Sequence, residues 1–190
     1  TPFDRLSMSS MVKHLAKVWF EQISFPRACR RAGVEVAHVP YWGPPASQAV
    51  PVVTTVHDLI PLVLPAYRGS VWVRLYTELV RCTAQRSALV LTDSRASAHD
   101  ICHILNLPAE RVRVIYLGVE SQYQPVREPE RLKQVRERYH LPERFILYLG
   151  GFDQRKNVPR LIRAYRRLLT RMHSAPPLVI AGQLPERYSP

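Results

Sequence analysis

The order of apolar segments constrains the fold of this chain more than any other feature. Short apolar runs, most of them rich in β-branched residues, alternate with longer segments in which apolar residues recur at helical spacing. The runs predict strands at residues 34–39, 52–56, 88–92, 112–116, 145–149 and 178–181. Strands that alternate with helices are typical of a parallel α/β sheet, which places its ligand loops at the carboxyl ends of the strands.

Helical periodicity also predicts where helices begin and end. We expect Pro26 to limit the first helix, and Ser70 and Ser94 to cap two later helices. Further helices are predicted over residues 132–139 and after residue 157. Because Trp19 and Trp72 lie on apolar helix faces, we predict that both side chains belong to the core.

Composition narrows the class of partner. The 190 residues are 46% hydrophobic, and the formal net charge of +12 comes from 27 basic residues of which only Lys13, Lys17, Lys133 and Lys156 are lysines. Such a charge favours an anionic partner: nucleic acid, a phospholipid surface or a phosphorylated small molecule. The arginines are scattered and no zinc-finger spacing is present, so we expect no nucleic acid. Arginines within residues 27–31 could contact an anionic inner membrane, although general solvation of the charge is the alternative.

The cysteines and the N-terminal residues indicate where in the cell the protein is located. Three cysteines without C-x-x-C spacing argue against a disulfide framework or a zinc ribbon, and they fit a reducing cytosol. Residues 1–5 show no secretory signal and no initiator methionine, so we interpret Thr1 as a cut end. The longest apolar runs are far shorter than the roughly 20 residues that cross a bilayer. We therefore expect a cytoplasmic protein that could rest peripherally on the membrane.

One sequence pattern resembles a metal site. Residues 99–103 (HDICH) put two histidines at i and i+4 on a predicted helix, as in zinc proteases. The residue between them is aspartate instead of glutamate, and no third ligand is evident. We expect a solvated helix surface, with no metal and no cofactor.

The segment with the most chemical information is residues 148–157 (YLGGFDQRKN). A predicted strand leads through Gly150 and Gly151 to the cations Arg155 and Lys156 and then to a helix start at Asn157. Backbone N–H groups, a helix N-terminus and two cations near one point favour phosphate binding. An ordinary strand-to-helix turn with surface cations remains the alternative. The segment lacks G-x-G-x-x-G and the P-loop lysine, which disfavours a nicotinamide or ATP site.

A polar break at residues 120–130 divides the chain. We predict an N-terminal domain over residues 1–124 and the start of a second domain over residues 125–190.

Four segments together resemble glycosyltransferase family 4, whose members have the GT-B fold of two Rossmann-like domains. They are residues 55–61 (TVHDLIP), 92–101 (TDSRASAHDI), 114–120 (VIYLGVE) and the glycine turn. Their order and spacing match the family's. The resemblance implies two Rossmann-like domains, both incomplete in this chain, with a cleft between them for the donor.

The resemblance also implies an activity. Family members transfer a sugar, with retention of configuration, from a nucleotide diphosphate sugar, so we expect a UDP- or GDP-hexose donor and a saccharide or lipid-linked acceptor. Lys156, Arg155, Gly150 and Gly151 would hold the diphosphate, and His57 would face the transferred sugar as the catalytic residue. The alternative for His57 is a structural hydrogen bond at the end of a buried strand.

Three further residues are candidates for supporting the site, and the chain differs from the family pattern at two points. Asp58, which we expect to accept backbone N–H bonds in its loop, is a candidate for supporting the site together with Ser94 and Gly118. Many relatives have arginine where this chain has Gly151, and two glutamates spaced eight apart would lie beyond Pro190. We therefore expect the isolated chain to be inactive. A non-catalytic sugar-nucleotide-binding relative and a basic nucleic-acid-binding protein remain alternatives.

Overall fold

The chain forms two units, Thr1–Val119 and Glu120–Pro190. The computed structural model describes residues 10–172 and 174–182. Each unit contains a parallel sheet with helices, which confirms the predicted α/β class. The GT-B pairing of two Rossmann-like domains, and the assignment of residues 1–124 and 125–190 to them, stay predictions.

The sheet of the N-terminal unit has four parallel strands in the order β1-β2-β3-β4. They are β1 (Ala37–Val39), β2 (Val52–Thr55), β3 (Leu89–Thr92) and β4 (Val112–Val114), each at a predicted position. Strand β2 pairs with β3 so that Thr55 lies opposite Leu91. Because the strands are parallel and sequential, their carboxyl ends lie along one edge of the sheet.

Helices precede the sheet and connect some of its strands. They are α1 (Ser10–Trp19), α2 (Phe25–Ala32), α3 (Ile60–Val63), α4 (Val71–Ala84) and α5 (Arg95–Ile104). Helix α2 ends at Gly33, whose φ of 63° is the left-handed conformation that glycine adopts at helix ends. Among the described residues, no helix combines the length and the apolar character needed to cross a membrane.

The core of the N-terminal unit lies between the sheet and helices α4 and α5. Its buried hydrophobic residues are Val56, Leu59, Ala84, Val90, Ile101, Leu105, Leu107 and Val112. Ile101 and Leu105 are fully buried, as the helical spacing of α5 predicts. A buried hydrogen bond of 2.7 Å between the hydroxyls of Thr54 and Ser87 satisfies two polar groups beneath the sheet.

The prediction that Pro26 limits the first helix is wrong. Helix α1 continues through a π-helical turn, Phe20–Ser24, directly into α2, and Phe25 N–H donates to Phe20 C=O five residues earlier. Pro26 lies in the first turn of α2. The fixed φ of proline is compatible with a helix, and Pro26 directly follows the turn in which the hydrogen-bond pattern changes.

The prediction that Trp19 and Trp72 belong to the core is also wrong. Trp19 is 58% exposed and Trp72 is 60% exposed. Helix α4 instead buries Thr77, Val80, Thr83 and Ala84. The two threonine hydroxyls donate to helix carbonyls, Thr77 to Val73 and Thr83 to Val80, so these side chains can be buried although a hydrophobic pattern counts them as polar.

The C-terminal unit has a smaller sheet. Its elements are α6 (Pro129–Arg138), β5 (Ile146–Leu149), α7 (Val158–Arg171) and β6 (Leu178–Ala181). Strands β5 and β6 are parallel, with Ile146 opposite Leu178. Of the residues described in this unit, Val158 alone is buried.

Candidate functional site

The carboxyl edge of the N-terminal sheet brings two predicted landmark segments together. His57 follows β2 after one residue, and Asp93 directly follows β3. Strands β2 and β3 pair with a constant offset of 36 residues, which also separates His57 from Asp93. The imidazole Nδ1 of His57 lies 2.7 Å from Oδ2 of Asp93. Neighbouring strands therefore supply a histidine–carboxylate pair at the edge where α/β sheets bind ligands.

The pair leaves one imidazole nitrogen open. The His57 side chain is 51% exposed and that of Asp93 is 25% exposed. An ionised carboxylate only accepts hydrogen bonds, so His57 Nδ1–H is the donor. Nε2 of His57 makes no hydrogen bond to any described residue. In the neutral imidazole, Nε2 is then an acceptor that faces solvent.

Two of the three predicted supporting residues, Asp58 and Ser94, lie beside this pair. Asp58 Oδ1 accepts the backbone N–H of Ile60 at 3.0 Å, which confirms its predicted place in the loop. The Ser94 hydroxyl accepts the N–H of Ser97 at 3.1 Å and caps α5, as predicted. Gly118 lies in the exposed segment that follows β4, and a side chain at this position would meet open space. Ser94 therefore has a structural task, whereas Gly118 makes no close contact.

The glycine turn of the C-terminal unit follows the carboxyl end of β5. Gly150 N–H donates to Ala181 C=O across the sheet, and the Tyr148 hydroxyl donates to Gly151 C=O at 2.8 Å. A Cβ added to Gly182 would lie 2.1 Å from the carbonyl oxygen of Gly150, so only glycine fits there. This backbone contact was not predicted, because it depends on how closely the two strand ends approach.

Arg155 and Lys156 both lie in a short helical turn, Gln154–Lys156, but they differ in their partners. Arg155 Nε lies 3.3 Å from Asp153 Oδ1, which also accepts the Arg155 N–H at 3.0 Å. Lys156 is exposed and makes no ion pair with a described residue. Asn157, at φ 52°, then turns the chain into α7. Lys156 is the cation of this turn that has no carboxylate partner among the described residues.

Some of the backbone N–H groups that were predicted to bind phosphate form hydrogen bonds within the turn. The N–H groups of Lys156 and Asn157 donate to backbone carbonyls within the turn. The N–H groups of Gly151 and Phe152 have no partner within the described part of the chain. Two free amides and the Lys156 ammonium can bind an anion, which is fewer backbone donors than the sequence alone suggests.

A second polar cluster, absent from the sequence prediction, lies at the π-helical turn. The Tyr76 hydroxyl lies 2.9 Å from both carboxylate oxygens of Glu21, and Lys17 Nζ lies 3.8 Å from Glu21 Oε1. Burial raises the pKa of Glu21, against the opposing effects of the Tyr76 hydroxyl and the Lys17 ammonium. Burial, and then the Glu21 charge, raise the pKa of Tyr76, which keeps its hydroxyl protonated.

The adjacent residue Gln22 ties the same turn to the proline-rich loop. Its side-chain amide donates to Pro44 C=O at 3.2 Å and accepts the Ala46 N–H at 2.8 Å. A Cβ added to Gly43 would lie 2.5 Å from the Glu21 carboxylate. The cluster thus fastens residues 43–46 to the helix, which is a structural task.

No metal site is evident in residues 10–172 and 174–182, where no three His, Cys, Asp or Glu side chains are grouped. The ring centroids of His99 and His103 lie 4.3 Å apart on α5, and the two rings contact each other edge to face.

Comparison with known proteins identifies the family. The sequence profile described as Glycosyltransferase Family 4 matches residues 8–123, which include His57, Asp58, Asp93 and Ser94. The chain belongs to glycosyltransferase family 4. The family 4 match covers more than half of the chain.

Curated relatives match part of this family 4 chain. O-antigen chain mannosyltransferase B of Escherichia coli is 31% identical over 131 residues, which are 68% of this chain and 34% of that protein. Serotype-specific mannosyltransferase WbdA of Escherichia coli is 28% identical over 127 residues, which are 66% of this chain and 16% of that protein. The chain thus spans about a third of the first relative and about a sixth of the second.

A solved structure is also similar. A glycosyltransferase from Rickettsia africae ESF-5 aligns with 95% of this chain and 54% of its own, at 13% identity and a TM-score of 0.46.

Proposed function

We propose that this chain is part of a glycosyltransferase that moves a hexose from a UDP- or GDP-sugar to a hydroxyl of a saccharide or lipid-linked acceptor, with retention of configuration. The observation that carries the proposal is the position of His57 at the carboxyl edge of a parallel sheet, inside the segment that matches glycosyltransferase family 4. Ligands of open α/β sheets bind at this edge. The mannosyltransferase relatives make mannose the first hexose to test.

In this proposal His57 touches the transferred sugar. Its side chain is half exposed, and its Nε2 has no partner among the described residues, so it is free to bond a sugar hydroxyl. Asp58 and Ser94 support the loops around it through the hydrogen bonds to Ile60 and Ser97.

The glycine turn binds the donor diphosphate. Lys156 is the principal cation in this role, because Arg155 shares its charge with Asp153 at 3.3 Å. The N–H groups of Gly151 and Phe152, which have no partner among the described residues, add hydrogen bonds to phosphate oxygens. As the diphosphate departs, its growing negative charge is stabilised by donors already in position, which is how fixed cations and amides lower a barrier.

Donor binding tests the diphosphate role directly. In the full-length protein, Lys156→Ala should weaken donor binding by about 1.5–3 kcal/mol, the scale of a hydrogen bond to a charged group, as measured by calorimetry. Lys133→Ala, which removes an exposed lysine from α6, is the matched control and should leave affinity unchanged. Equal affinity of the Lys156 variant and the wild type would overturn the diphosphate role.

A transfer assay tests the reaction. The full-length protein is incubated with UDP- or GDP-hexoses and saccharide or lipid-linked acceptors, and the product is identified by mass spectrometry and its anomeric configuration by NMR. Donor binding without any product would favour a non-catalytic relative. Binding to DNA with a steep salt dependence, and none to sugar nucleotides, would favour the nucleic-acid alternative.

A peripheral contact with an anionic membrane is part of the proposal. Trp19 lines a groove together with Arg27 and Arg31 of α2. Leu15 and Phe20 beside it are also largely exposed, at 60% and 59%. An exposed tryptophan next to guanidinium groups suits the headgroup region of a bilayer, where each well-placed cation contributes about 1 kcal/mol.

Vesicle sedimentation tests the membrane contact. The protein should pellet with phosphatidylglycerol vesicles and remain in solution with phosphatidylcholine vesicles. Arg27→Gln with Arg31→Gln should reduce pelleting, whereas Arg160→Gln with Arg163→Gln, which removes the same charge from α7, should have little effect. Equal pelleting with both lipids, or equal losses in both variants, would contradict the assignment to α2.

A further inference from the structure

The pairing of His57 with Asp93 carries an inference about how the proposed reaction is set up. The Asp93 carboxylate accepts no backbone N–H among the described residues. Its Oδ2 lies 2.7 Å from Nδ1 of His57, and the adjacent Ser94 is the residue that caps α5. The two residues come from neighbouring strands whose register is fixed by buried residues of β2 and β3. The pair is therefore held by the sheet.

The chemistry of the pair selects one form of the imidazole. A neutral histidine carries its proton on one ring nitrogen, and the hydrogen bond made by that nitrogen decides which one. The carboxylate of Asp93 accepts the proton of Nδ1, so Nε2 is left without one. The His57 side chain is 51% exposed, and its Nε2 has no hydrogen-bond partner among the described residues.

We propose that Asp93 is a positioning residue that holds His57 in the Nδ1–H form, so that Nε2 is presented as a hydrogen-bond acceptor to a sugar hydroxyl. The role of Asp93 in the reaction rests on the proposed function. The tautomer of His57 rests only on the geometry of the pair. Asp93 acts through His57 and need not touch the substrate. A purely structural link between the two strand ends would hold the same tautomer but would not affect the reaction, so the kinetic measurements separate the two roles.

Imidazole NMR tests the tautomer without any substrate. In the 15N-labelled chain, His57 should show a protonated Nδ1 and an unprotonated Nε2 when neutral. Asp93→Asn, whose amide can donate as well as accept, and Asp93→Ala should both raise the population with the proton on Nε2. Asp100→Asn, the same change on the exposed surface of α5, is the control and should leave the His57 signals as they are. An unchanged tautomer in both Asp93 variants would overturn the inference, whatever the enzyme's activity.

Kinetics of the full-length enzyme test the consequence. Asp93→Asn should lower kcat about 10- to 100-fold with little change in donor KM, as expected for a group that orients a reacting side chain. Asp93→Glu, which keeps the carboxylate, should recover part of the loss. In a His57→Ala background the same Asp93→Asn change should have no further effect, because Asp93 acts only through the imidazole.

Each outcome bears on a different statement. An equal loss from Asp93→Asn with and without His57 would overturn the positioning role, and so would a changed tautomer with normal kcat. Absence of transfer by the wild-type enzyme would overturn the proposed function and with it the role of Asp93 in the reaction, while the NMR result would still report on the pair itself.

Discussion

The two candidate sites of this chain follow the same sequence pattern but have different structural support. His57 and Asp93 follow strands of a four-stranded sheet in which Val56 and Val90 are fully buried. Lys156 follows a two-stranded sheet whose first strand is largely exposed. A strand followed by polar residues predicts a ligand loop in both cases, but only the first loop is held by a buried core within the described residues of its unit.

The difference in packing suits the two loops to different tasks: orienting a reacting group and attracting a charged one. Side chains on a packed sheet can be held at a fixed distance and angle, which proton and hydroxyl chemistry requires. A cation in an exposed turn can attract a diphosphate from many directions and adjust to it. The difference is consistent with the proposed function, which assigns the reacting sugar to His57 and the diphosphate to Lys156.

The largest expected effect is on stability. Ile101→Ala, at a fully buried position of α5, should lower the free energy of unfolding of the N-terminal unit by about 2–5 kcal/mol, because it leaves a cavity. Ile162→Ala, the same change at a residue of α7 that is 40% exposed, should cost about 1 kcal/mol or less. Peptide-resolved hydrogen exchange in urea reports each unit separately. Similar losses in both units would remove the contrast in packing.

The next effect is on turnover. His57→Ala should lower sugar transfer by about 100-fold or more and leave donor binding and the melting temperature nearly unchanged, because the side chain is half exposed and acts on the reacting sugar. His38→Ala, at an exposed histidine of β1 that bonds Thr55 at 2.9 Å, is the matched control and should keep normal turnover. A large fall in melting temperature with near-normal transfer would show that His57 is structural.

The smallest effect concerns a buried charge of the N-terminal unit. Because burial raises the pKa of Glu21 above the ordinary 4.5, its stabilising contribution is present at low pH and is lost as pH rises through the folded-state pKa. Relative to the wild type, Glu21→Gln should therefore melt at progressively higher temperature as pH rises above that ordinary value. Glu110→Gln, which removes one negative charge from an exposed residue, is the control for the change in net charge. A difference that does not vary with pH would contradict the role of burial.

Much of the fold could be predicted from local patterns. The β-branched run before His57 marked β2, and Ser94 marked the start of α5, because strand burial and helix capping depend on neighbouring residues. The face of α4 could not be predicted, since its buried threonines bond their own helix while Trp72 faces solvent.

The candidate site was predictable in part. His57 was indicated by its place after a strand, and the same signal applied to Asp93. Their pairing depends on strand register, which no local pattern encodes. Asp153, the partner of Arg155, lies only two residues before it, yet whether Asp153 or a ligand holds the guanidinium depends on the shape of the turn.

The π-helical turn at Phe20–Ser24 sets the phase of the helix that follows it. In an uninterrupted α-helix, at about 100° per residue, Arg27 and Arg31 would be rotated from Trp19 by about 80° and 120°. A π-turn takes up one extra residue, which brings both arginines to within about 20° of Trp19 and accounts for the groove that the three share. The extra residue of this turn therefore determines which charges accompany the tryptophan: deleting it would let an uninterrupted α-helix keep both arginines beside Trp19, whereas closing the turn as α-helix without a deletion would rotate them away.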